Sequence, residues 1–206
     1  MIQQLELYKD ITVNCVFYID DETKHGFLID PGYQAEQLCA LIKEKGWVIE
    51  KIFITHGHFD HIEEAGDLAK MLNVPIYAYE TAAEYHLDPK MNLSSKNGIL
   101  EGALPLKDGE KVALDANPDF YVEVIHTPGH TKDAVIYYTE KDHAAFVGDT
   151  IFKGCIGNYT LPGGSYETLM KSITERIFTL PPDTVLYSGH TEPTTAGAEK
   201  RRYFAE

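Results

Sequence analysis

Residues 55–61 constrain the fold and the chemistry of this chain more than any other segment. They read Thr-His-Gly-His-Phe-Asp-His and directly follow a short apolar run that indicates a buried strand. Neutral imidazole is the commonest protein ligand for transition metals, and carboxylate oxygens complete many of these sites. In an extended segment, residues two apart point the same way, so His56 and His58 can converge on one ion. The chain is then expected to turn into a helix, where Asp60 and His61 can face a second ion.

Solvation is the ordinary role of a histidine-rich loop, and Asp60 has a further alternative of its own. Asp60 and Glu63 match the residue pair that caps the start of a helix, so Asp60 can be a cap rather than a ligand. A capping carboxylate explains Asp60 alone and leaves the three histidines unexplained. The alternation of ligand-type residues at a strand end therefore favours metal binding.

Length and composition indicate one ordinary globular domain. The chain has 206 residues, of which 44% are hydrophobic and 24% are charged, and single domains of about 100–250 residues are common. Its 32 acidic and 18 basic residues give a formal net charge of −14. Because nucleic-acid binding needs a basic surface, this charge disfavours a nucleic-acid partner.

The cysteines and the first residues predict a cytoplasmic protein. The three cysteines form no C-x-x-C pair and cannot all be in disulfides, which is typical of a reducing compartment. The N-terminal segment has neither the basic part nor the apolar part of a signal peptide. No run of about eighteen apolar residues occurs, so we expect no membrane span and no membrane partner.

Local patterns predict a chain in which strands and helices alternate. Apolar and β-branched runs predict strands at residues 11–19, 26–29, 48–54, 75–78, 111–114, 121–125, 134–138, 144–147 and 184–187. Helical spacing predicts helices at residues 34–46, 62–72, 81–86 and 165–178. Residues 88–109 are rich in Asn, Ser, Gly and Pro, and they are predicted to form a long loop at the rim of a substrate site. This order suggests a two-sheet core with helices outside.

Four of the predicted strands each end close to a residue that can bind metal. These residues are His56, His130, Asp149 and His190. In three cases a glycine lies beside the ligand-type residue, and glycine permits tight turns and close approach of the backbone. One such residue alone would be unremarkable, whereas four at separate strand ends predict a shared ligand cluster.

Motifs spread over most of the chain resemble those of a known family. The segments T-H-G-H-F-D-H, H-T-P-G-H-T, G-D-T-I-F and S-G-H follow one another between residues 55 and 190. They resemble the landmark motifs of the metallo-β-lactamase-fold hydrolases, and L-I-D-P-G at residues 28–32 matches that family's opening motif. More narrowly, the chain resembles the short, single-domain glyoxalase II-like branch. The resemblance implies an α+β fold, a four-layer αβ/βα sandwich of two mixed sheets with helices outside. It also implies one domain over residues 1–206, without a separate C-terminal helical substrate domain.

The same resemblance implies a site for two divalent metals between the sheets, with zinc as the first choice and iron or manganese as alternatives. The implied ligands are His56, His58 and His130 for the first metal, Asp60, His61 and His190 for the second, and Asp149 as a bridge between them. Asp30 would orient a ligand imidazole from outside the ligand set, although it can equally serve only the turn before Pro31.

The function implied is that of a metal-dependent hydrolase, a thioesterase of the hydroxyacylglutathione hydrolase (glyoxalase II) type. A hydroxide that bridges the metals would be the nucleophile, since two metals lower the pKa of a shared water towards about 7. Asp60 would help to position this hydroxide. The expected substrate is a small-molecule thioester, which would be cleaved to a hydroxy acid and a thiol.

Three departures from the family pattern leave the identity of the thiol open. Asn158 stands where arginine is common, and Thr191 follows His190 where glycine is more frequent. The helical domain that grips glutathione in longer relatives is also expected to be absent. Arg201 and Arg202 are candidates for an anionic clamp, or they are simply solvated.

Two other functions remain open at the level of sequence. One is a mononuclear-iron enzyme resembling persulfide dioxygenases, with His56, His130 and Asp149 as the iron ligands. The other is a non-catalytic metal-binding module.

Overall fold

A computed structural model of the chain describes residues 1–94, 100 and 102–203. Within these residues the strands are β1 (Ile2–Tyr8), β2 (Thr12–Ile19), β3 (His25–Ile29), β4 (Val48–Phe53), β5 (Ile76–Tyr79), β6 (Leu104–Leu106), β7 (Lys111–Ala113), β8 (Tyr121–His126), β9 (Val135–Thr139), β10 (Ala144–Gly148), β11 (Ile151–Phe152), β12 (Cys155–Ile156), β13 (Val185–Ser188) and β14 (Thr194–Thr195). The helices are α1 (Ala35–Lys45), α2 (Phe59–Ile62), α3 (Ala65–Leu72), α4 (Ala83–His86), α5 (Tyr166–Ser172) and α6 (Ala196–Tyr203), and a π-helical segment, Ile173–Ile177, continues α5.

Twelve of the strands form two six-stranded sheets, and both sheets are mixed. The first sheet has the order β1-β2-β3-β4-β5-β6; its first three strands pair antiparallel, and β3 to β6 pair parallel. The second sheet has the order β14-β13-β10-β9-β8-β7, and its β10–β13 pair is parallel. Strands β11 and β12 form a separate hairpin.

Three apolar clusters fill the interfaces between four layers. The outer cluster of the first sheet includes Leu38 from α1 and Leu68 from α3. The central cluster takes Phe53 from the first sheet and Phe146 from the second. The cluster outside the second sheet includes Leu169 from α5. The predicted α+β fold, a four-layer αβ/βα sandwich of two mixed sheets with helices outside, is therefore confirmed.

Strand β2 illustrates how the sequence produces these layers. Alternate side chains of a strand point to opposite faces, and both faces of β2 are apolar. Cys15 and Phe17 lie in the outer cluster, whereas Val16 and Tyr18 lie in the central one. The Tyr18 ring stacks on that of Phe120 with centroids 4.2 Å apart. Because β2 is packed on both faces, its position is fixed, and the loops that begin at its ends start from fixed positions.

Most predicted elements are present, but one predicted helix is broken and several short or polar elements were not predicted. The helix predicted over residues 62–72 is broken, because α2 ends at Ile62 and α3 begins at Ala65. Between them the Glu64 amide donates to Gly32 O at 2.9 Å, and its carboxylate accepts from the Ala35 amide at 2.9 Å. These tertiary bonds replace the helical ones.

The other differences concern weak local signals. Strand β6 lies inside the region predicted as a long loop, where its short length and a proline concealed it; residues 95–99 and 101 of that region lie outside the described residues. Strand β1 and helix α6 were missed, and α6 is largely polar. Among the described residues, none of the helices combines the length and apolar character needed to cross a membrane. One domain over residues 1–206 stays a prediction.

Candidate metal centre

The seven predicted ligands lie together at one edge of the two sheets. His56 and His58 follow β4 of the first sheet, and Asp60 and His61 lie in α2 just after them. The other three follow β8, β10 and β13 of the second sheet, and they are His130, Asp149 and His190. Their ligand atoms form three overlapping groups, and within each group these atoms lie within 4.8 Å of one another. The groups are His56, His58 and His130; His56, His61 and Asp149; and Asp60, His61 and His190. The site thus takes residues from both sheets.

His56, His58 and His130, called here the three-histidine cluster, are almost fully buried. His130 Nε2 lies 3.2 Å from His56 Nε2 and 2.9 Å from His58 Nδ1. His56 Nε2 and His58 Nδ1 are 3.1 Å apart. Three ring nitrogens therefore point at one small volume.

The outer partners of these rings indicate which nitrogens carry lone pairs. His130 Nδ1 is 2.7 Å from Asn158 O, a carbonyl that can only accept, so this nitrogen is the donor and Nε2 has the lone pair. His56 Nδ1 faces the Thr55 hydroxyl at 3.2 Å, and that hydroxyl donates to Asp30. His56 Nε2 consequently also has a lone pair. Two lone pairs that face each other repel unless a cation lies between them, so the cluster fits a metal ion.

Asp60, His61 and His190, called here the carboxylate cluster, combine imidazoles with an acid. His190 Nδ1 donates to Thr12 O at 2.6 Å, and its Nε2 lies 3.2 Å from Asp60 Oδ2. His61 Nδ1 donates to Asp30 Oδ2 at 2.9 Å, and its Nε2 lies 3.4 Å from Asp60 Oδ2. Both inner nitrogens face carboxylate oxygens, so this cluster also requires protons or a cation.

Asp149 lies between the two clusters. Its Oδ2 is 3.6 Å from His130 Nε2 and 3.1 Å from His190 Nε2, and its Oδ1 is 3.4 Å from His61 Nε2. A β-carbon at Gly189 would collide with Asp149 Oδ1 and with the His61 ring, so only glycine leaves room for the ligand atoms here. One carboxylate therefore faces ligand nitrogens of both clusters.

Burial keeps the imidazoles of the three-histidine cluster neutral. Burial, together with the neighbouring His130, lowers the pKa of His58 to about 3. Burial also lowers the pKa of His56 and of His130, well below the ordinary value in the case of His56. Since a metal binds neutral imidazole, these rings need not lose a proton first.

The carboxylate cluster has the opposite electrostatics. Burial lowers the pKa of His61, but Asp60, Asp30 and Asp149 outweigh it and raise this pKa well above its ordinary value. The pKa of His190 is raised to about 10, because its bonds to Asp149 and Asp60 outweigh burial. Burial acts to raise the pKa of Asp60, yet the two histidines hold it below its ordinary value. Positive charge is thus strongly favoured in this cluster.

Asp30 contacts the site and is not only a turn residue. Its Oδ2 accepts from His61 Nδ1 and, at 2.6 Å, from the Thr55 hydroxyl, while its Oδ1 accepts from the Thr55 amide at 2.8 Å. Thr55 was not singled out in the sequence, although it begins the motif. Together these two residues hold the outer nitrogens of His56 and His61.

The alternative role of Asp60 as a helix cap is absent from the structure. The residue that precedes α2 is His58, and no side chain caps this helix. The Asp60 carboxylate instead turns towards His61 and His190.

Two of the departures from the family pattern, Asn158 and Thr191, lie close to the site without disrupting it. Asn158 uses its backbone carbonyl to hold His130, so the side chain at this position is not needed for that bond. Thr191 bonds to Ser188 and accepts from the Lys153 amide through its hydroxyl. Arg202 pairs with the buried Glu199 at 3.3 Å, so one candidate for an anionic clamp already has a carboxylate partner.

Comparison with known proteins identifies the family. The model of the metallo-beta-lactamase superfamily matches residues 9–190. The chain therefore belongs to the metallo-β-lactamase superfamily. Within it the chain is a metallo-hydrolase, and its relatives include enzymes named for hydrolysis. It is 34% identical to hydroxyacylglutathione hydrolase GloC of Haemophilus influenzae, over 91% of this chain and 90% of the relative. It is 35% identical to the probable metallo-hydrolase YqgX of Bacillus subtilis, over 92% and 90%.

Solved structures agree with this assignment. The fold is similar to that of BLEG-1 B3 metallo-beta-lactamase, with a TM-score of 0.85 and 30% identity over 97% of this chain and 96% of the other. It is also similar to TTHA1623 in a di-iron-bound form, with a TM-score of 0.83 and 29% identity over 97% and 98%. The His and Asp clusters of this chain suit divalent metals, and both zinc and iron accept such ligands.

Proposed function

We propose that this protein is a metal-dependent thioesterase of the hydroxyacylglutathione hydrolase type. The observation that carries the proposal is the pair of adjacent clusters, with Asp149 facing both, which offers a complete ligand set for two divalent metals. Similarity to GloC, over 91% of this chain, supports a hydroxyacyl thioester as the substrate.

In this proposal His56, His58 and His130 would hold one metal, Asp60, His61 and His190 would hold the other, and Asp149 would contribute its carboxylate to both. Zinc is the first choice, and the di-iron form of TTHA1623 supports iron as an alternative. When bound, two such metals supply an activated water and a Lewis acid for the carbonyl oxygen of the substrate.

The residues of the chain contribute orientation and access. Asp60 lies in the carboxylate cluster with its Oδ2 within 3.4 Å of both histidine nitrogens, where its carboxylate can accept a hydrogen bond and orient an attacking water. Asp30 and Thr55 keep the imidazoles of His61 and His56 aimed inward.

The side of the site next to His190 is the entry that we propose for the substrate. The His190 side chain is 27% exposed, whereas those of Asp60, His61 and Asp149 are at most 9% exposed. The Phe152 ring lies 5.9 Å from the His190 ring and gives this entry an apolar edge. A carbonyl carbon that arrives here meets the carboxylate cluster first. We further propose that the enzyme acts in the cytoplasm on a small molecule.

The test combines metal content with product release. Protein purified without added metal is analysed for metal, and thiol release is followed with lactoyl-glutathione and with lactoyl thioesters of other thiols. We expect about two metals per chain and thiol release that chelation abolishes and metal restores. One iron per chain with oxygen consumption would instead favour the mononuclear-iron enzyme, and bound metal without turnover on any thioester would favour the non-catalytic module.

A further inference from the structure

Gly57, which separates His56 from His58, is packed tightly where a β-carbon would lie. A β-carbon at this position would lie 2.5 Å from Tyr85 Cβ and 3.2 Å from Asp133 Oδ2. Tyr85 is fully buried, and Asp133 is 1% exposed. The backbone between two candidate ligands of the three-histidine cluster is therefore packed closely against Tyr85 and the Asp133 carboxyl group.

Asp133 is an unusual group to bury at this place. The Thr131 hydroxyl and the amides of Gly57 and Asp133 face the carboxyl. Within the described part of the chain, neither oxygen receives a well-aligned hydrogen bond. Burial outweighs these donors and raises the pKa of Asp133 to about 7. A buried polar group with imperfect partners lowers stability, so its position calls for another explanation.

The segment that contains Asp133 also carries the third histidine of the cluster. Just after His130, the Lys132 amide donates to the Tyr85 hydroxyl at 2.8 Å. The Val135 amide then donates to Thr55 O at 2.9 Å. Tyr85 and Asp133 thus lie where the segment with His56 and His58 meets the segment with His130.

We propose that Asp133 and Tyr85 are positioning residues that fix the backbone at Gly57 and thereby set the spacing of His56, His58 and His130. This inference rests on the proposed metal site and extends it, because it names the residues that tune one of the two clusters. The carboxylate cluster does not depend on this contact, since Asp30 and Thr12 hold its imidazoles.

Shape, rather than charge, is the contribution assigned to Asp133. Asparagine has nearly the same size and keeps one oxygen towards the Gly57 amide, so Asp133→Asn retains the wall against Gly57. Asp133→Ala removes that wall and leaves space into which the loop can relax. Tyr85→Phe keeps the ring on Gly57 and loses only the acceptor for the Lys132 amide.

The experiment measures zinc affinity of metal-stripped protein by competition with a chelator, in two backgrounds that isolate one cluster each. His190→Ala leaves the three-histidine cluster, and His130→Ala leaves the carboxylate cluster. In the His190→Ala background we expect Asp133→Ala to weaken zinc binding by about 10–100-fold, the usual effect of losing an outer partner. Tyr85→Phe should weaken it by a smaller factor of about 3–10. Asp133→Asn, in contrast, should keep the zinc affinity within about threefold of that of the His190→Ala variant alone. In the His130→Ala background none of these three changes should alter the zinc affinity.

Asp20→Asn is the matched control, because Asp20 is also a buried aspartate but lies in the turn between β2 and β3, away from the site. It should leave zinc affinity unchanged in both backgrounds. Unchanged affinity of both Asp133→Ala and Tyr85→Phe in the His190→Ala background would overturn the proposal. So would equal losses in the two backgrounds, since these indicate a general loss of packing. Failure of the unsubstituted protein to bind zinc is a separate result and contradicts the proposed function itself.

Discussion

The three-histidine cluster and the carboxylate cluster lie side by side, yet the electrostatic interactions among their side chains are different. The first consists of buried, neutral imidazoles, and the pKa of His58 is lowered to about 3 by burial. The second combines imidazoles with acids, and the pKa of His190 is raised to about 10 by its bonds to Asp149 and Asp60. The first therefore depends on how accurately the backbone presents lone pairs, and the second on the balance of opposite charges.

This difference has a consequence for variants at the two clusters. Truncating a neutral ligand leaves a smaller donor set, whereas truncating a charged one also leaves its partners uncompensated in a buried place. The effects of variants in the two clusters should therefore differ in kind as well as in magnitude, and the following predictions test this.

The largest effect is expected at Asp149, because it faces both clusters. Asp149→Ala should lower kcat/KM for the thioester by about a thousandfold or more, or about 4 kcal/mol of transition-state stabilisation. Steady-state kinetics on metal-reconstituted protein measure it. Asp183→Ala, at a carboxylate that is 71% exposed, is the control and should behave as the wild type. Near wild-type turnover of Asp149→Ala with metal excluded would show that the proposed mechanism is wrong.

The next effect separates the clusters by metal content. His130→Ala and His190→Ala should each lower the bound metal from about two to about one per chain, because each removes one of three imidazole or carboxylate donors of a cluster. Elemental analysis after dialysis measures this stoichiometry. If either variant kept both metals, the assignment of that histidine as a ligand would have to be abandoned.

A smaller effect is expected for Asp30→Asn, which acts through other residues. Asp30 accepts three hydrogen bonds, from His61, the Thr55 hydroxyl and the Thr55 amide, and an amide has only one acceptor oxygen. We expect about a tenfold loss of metal affinity at the carboxylate cluster, where Asp30 bonds to His61 directly, and a smaller loss at the three-histidine cluster, which Asp30 reaches only through Thr55. Chelator competition in the His130→Ala background measures it. An equal loss of metal affinity at the three-histidine cluster would show that Asp30 supports both clusters to the same extent.

The last prediction concerns pH and the stability of the metal-free protein, and it does not involve metal binding. The pKa of Asp133 is about 7 in the folded protein and about 3.9 in an unfolded chain. Between these values the folded state holds a proton that the unfolded state has released, so stability falls as the pH rises from about 4 through 7.

Asparagine at this position has no such proton to lose. As the pH rises from 5 to 8, Asp133→Asn should therefore gain about 2–3 kcal/mol of stability relative to the wild type. Urea unfolding of both proteins, stripped of metal, measures this difference. A difference that stays constant with pH would mean that the Asp133 carboxyl does not titrate in this range.

The sequence predicted the ligand set because the relevant signals are local. His56 and His58 alternate along one extended segment, and His130, Asp149 and His190 each follow an apolar run. The structure brings all of them together with Asp60 and His61. Their roles as metal ligands stay a prediction.

What the sequence did not reveal depends on contacts between distant segments. The break between α2 and α3 follows from hydrogen bonds of Glu64 to Gly32 and Ala35, which no local pattern encodes. Thr55 and Asp133 lie beside the ligand motifs, but the contacts that each makes with another segment of the chain are visible only in the structure. Helix α6 is largely polar, so the spacing of apolar residues did not predict it.

Each cluster is assembled from chain segments that belong to opposite sheets. His56, His58, Asp60 and His61 follow β4, while His130 and His190 follow strands of the other sheet. A cation shared by such residues acts as a cross-link between the halves of the sandwich, much as a disulfide would. If metals bind as proposed, each of them would join the two halves of the sandwich, so forming the metal site and docking one half on the other would depend on each other.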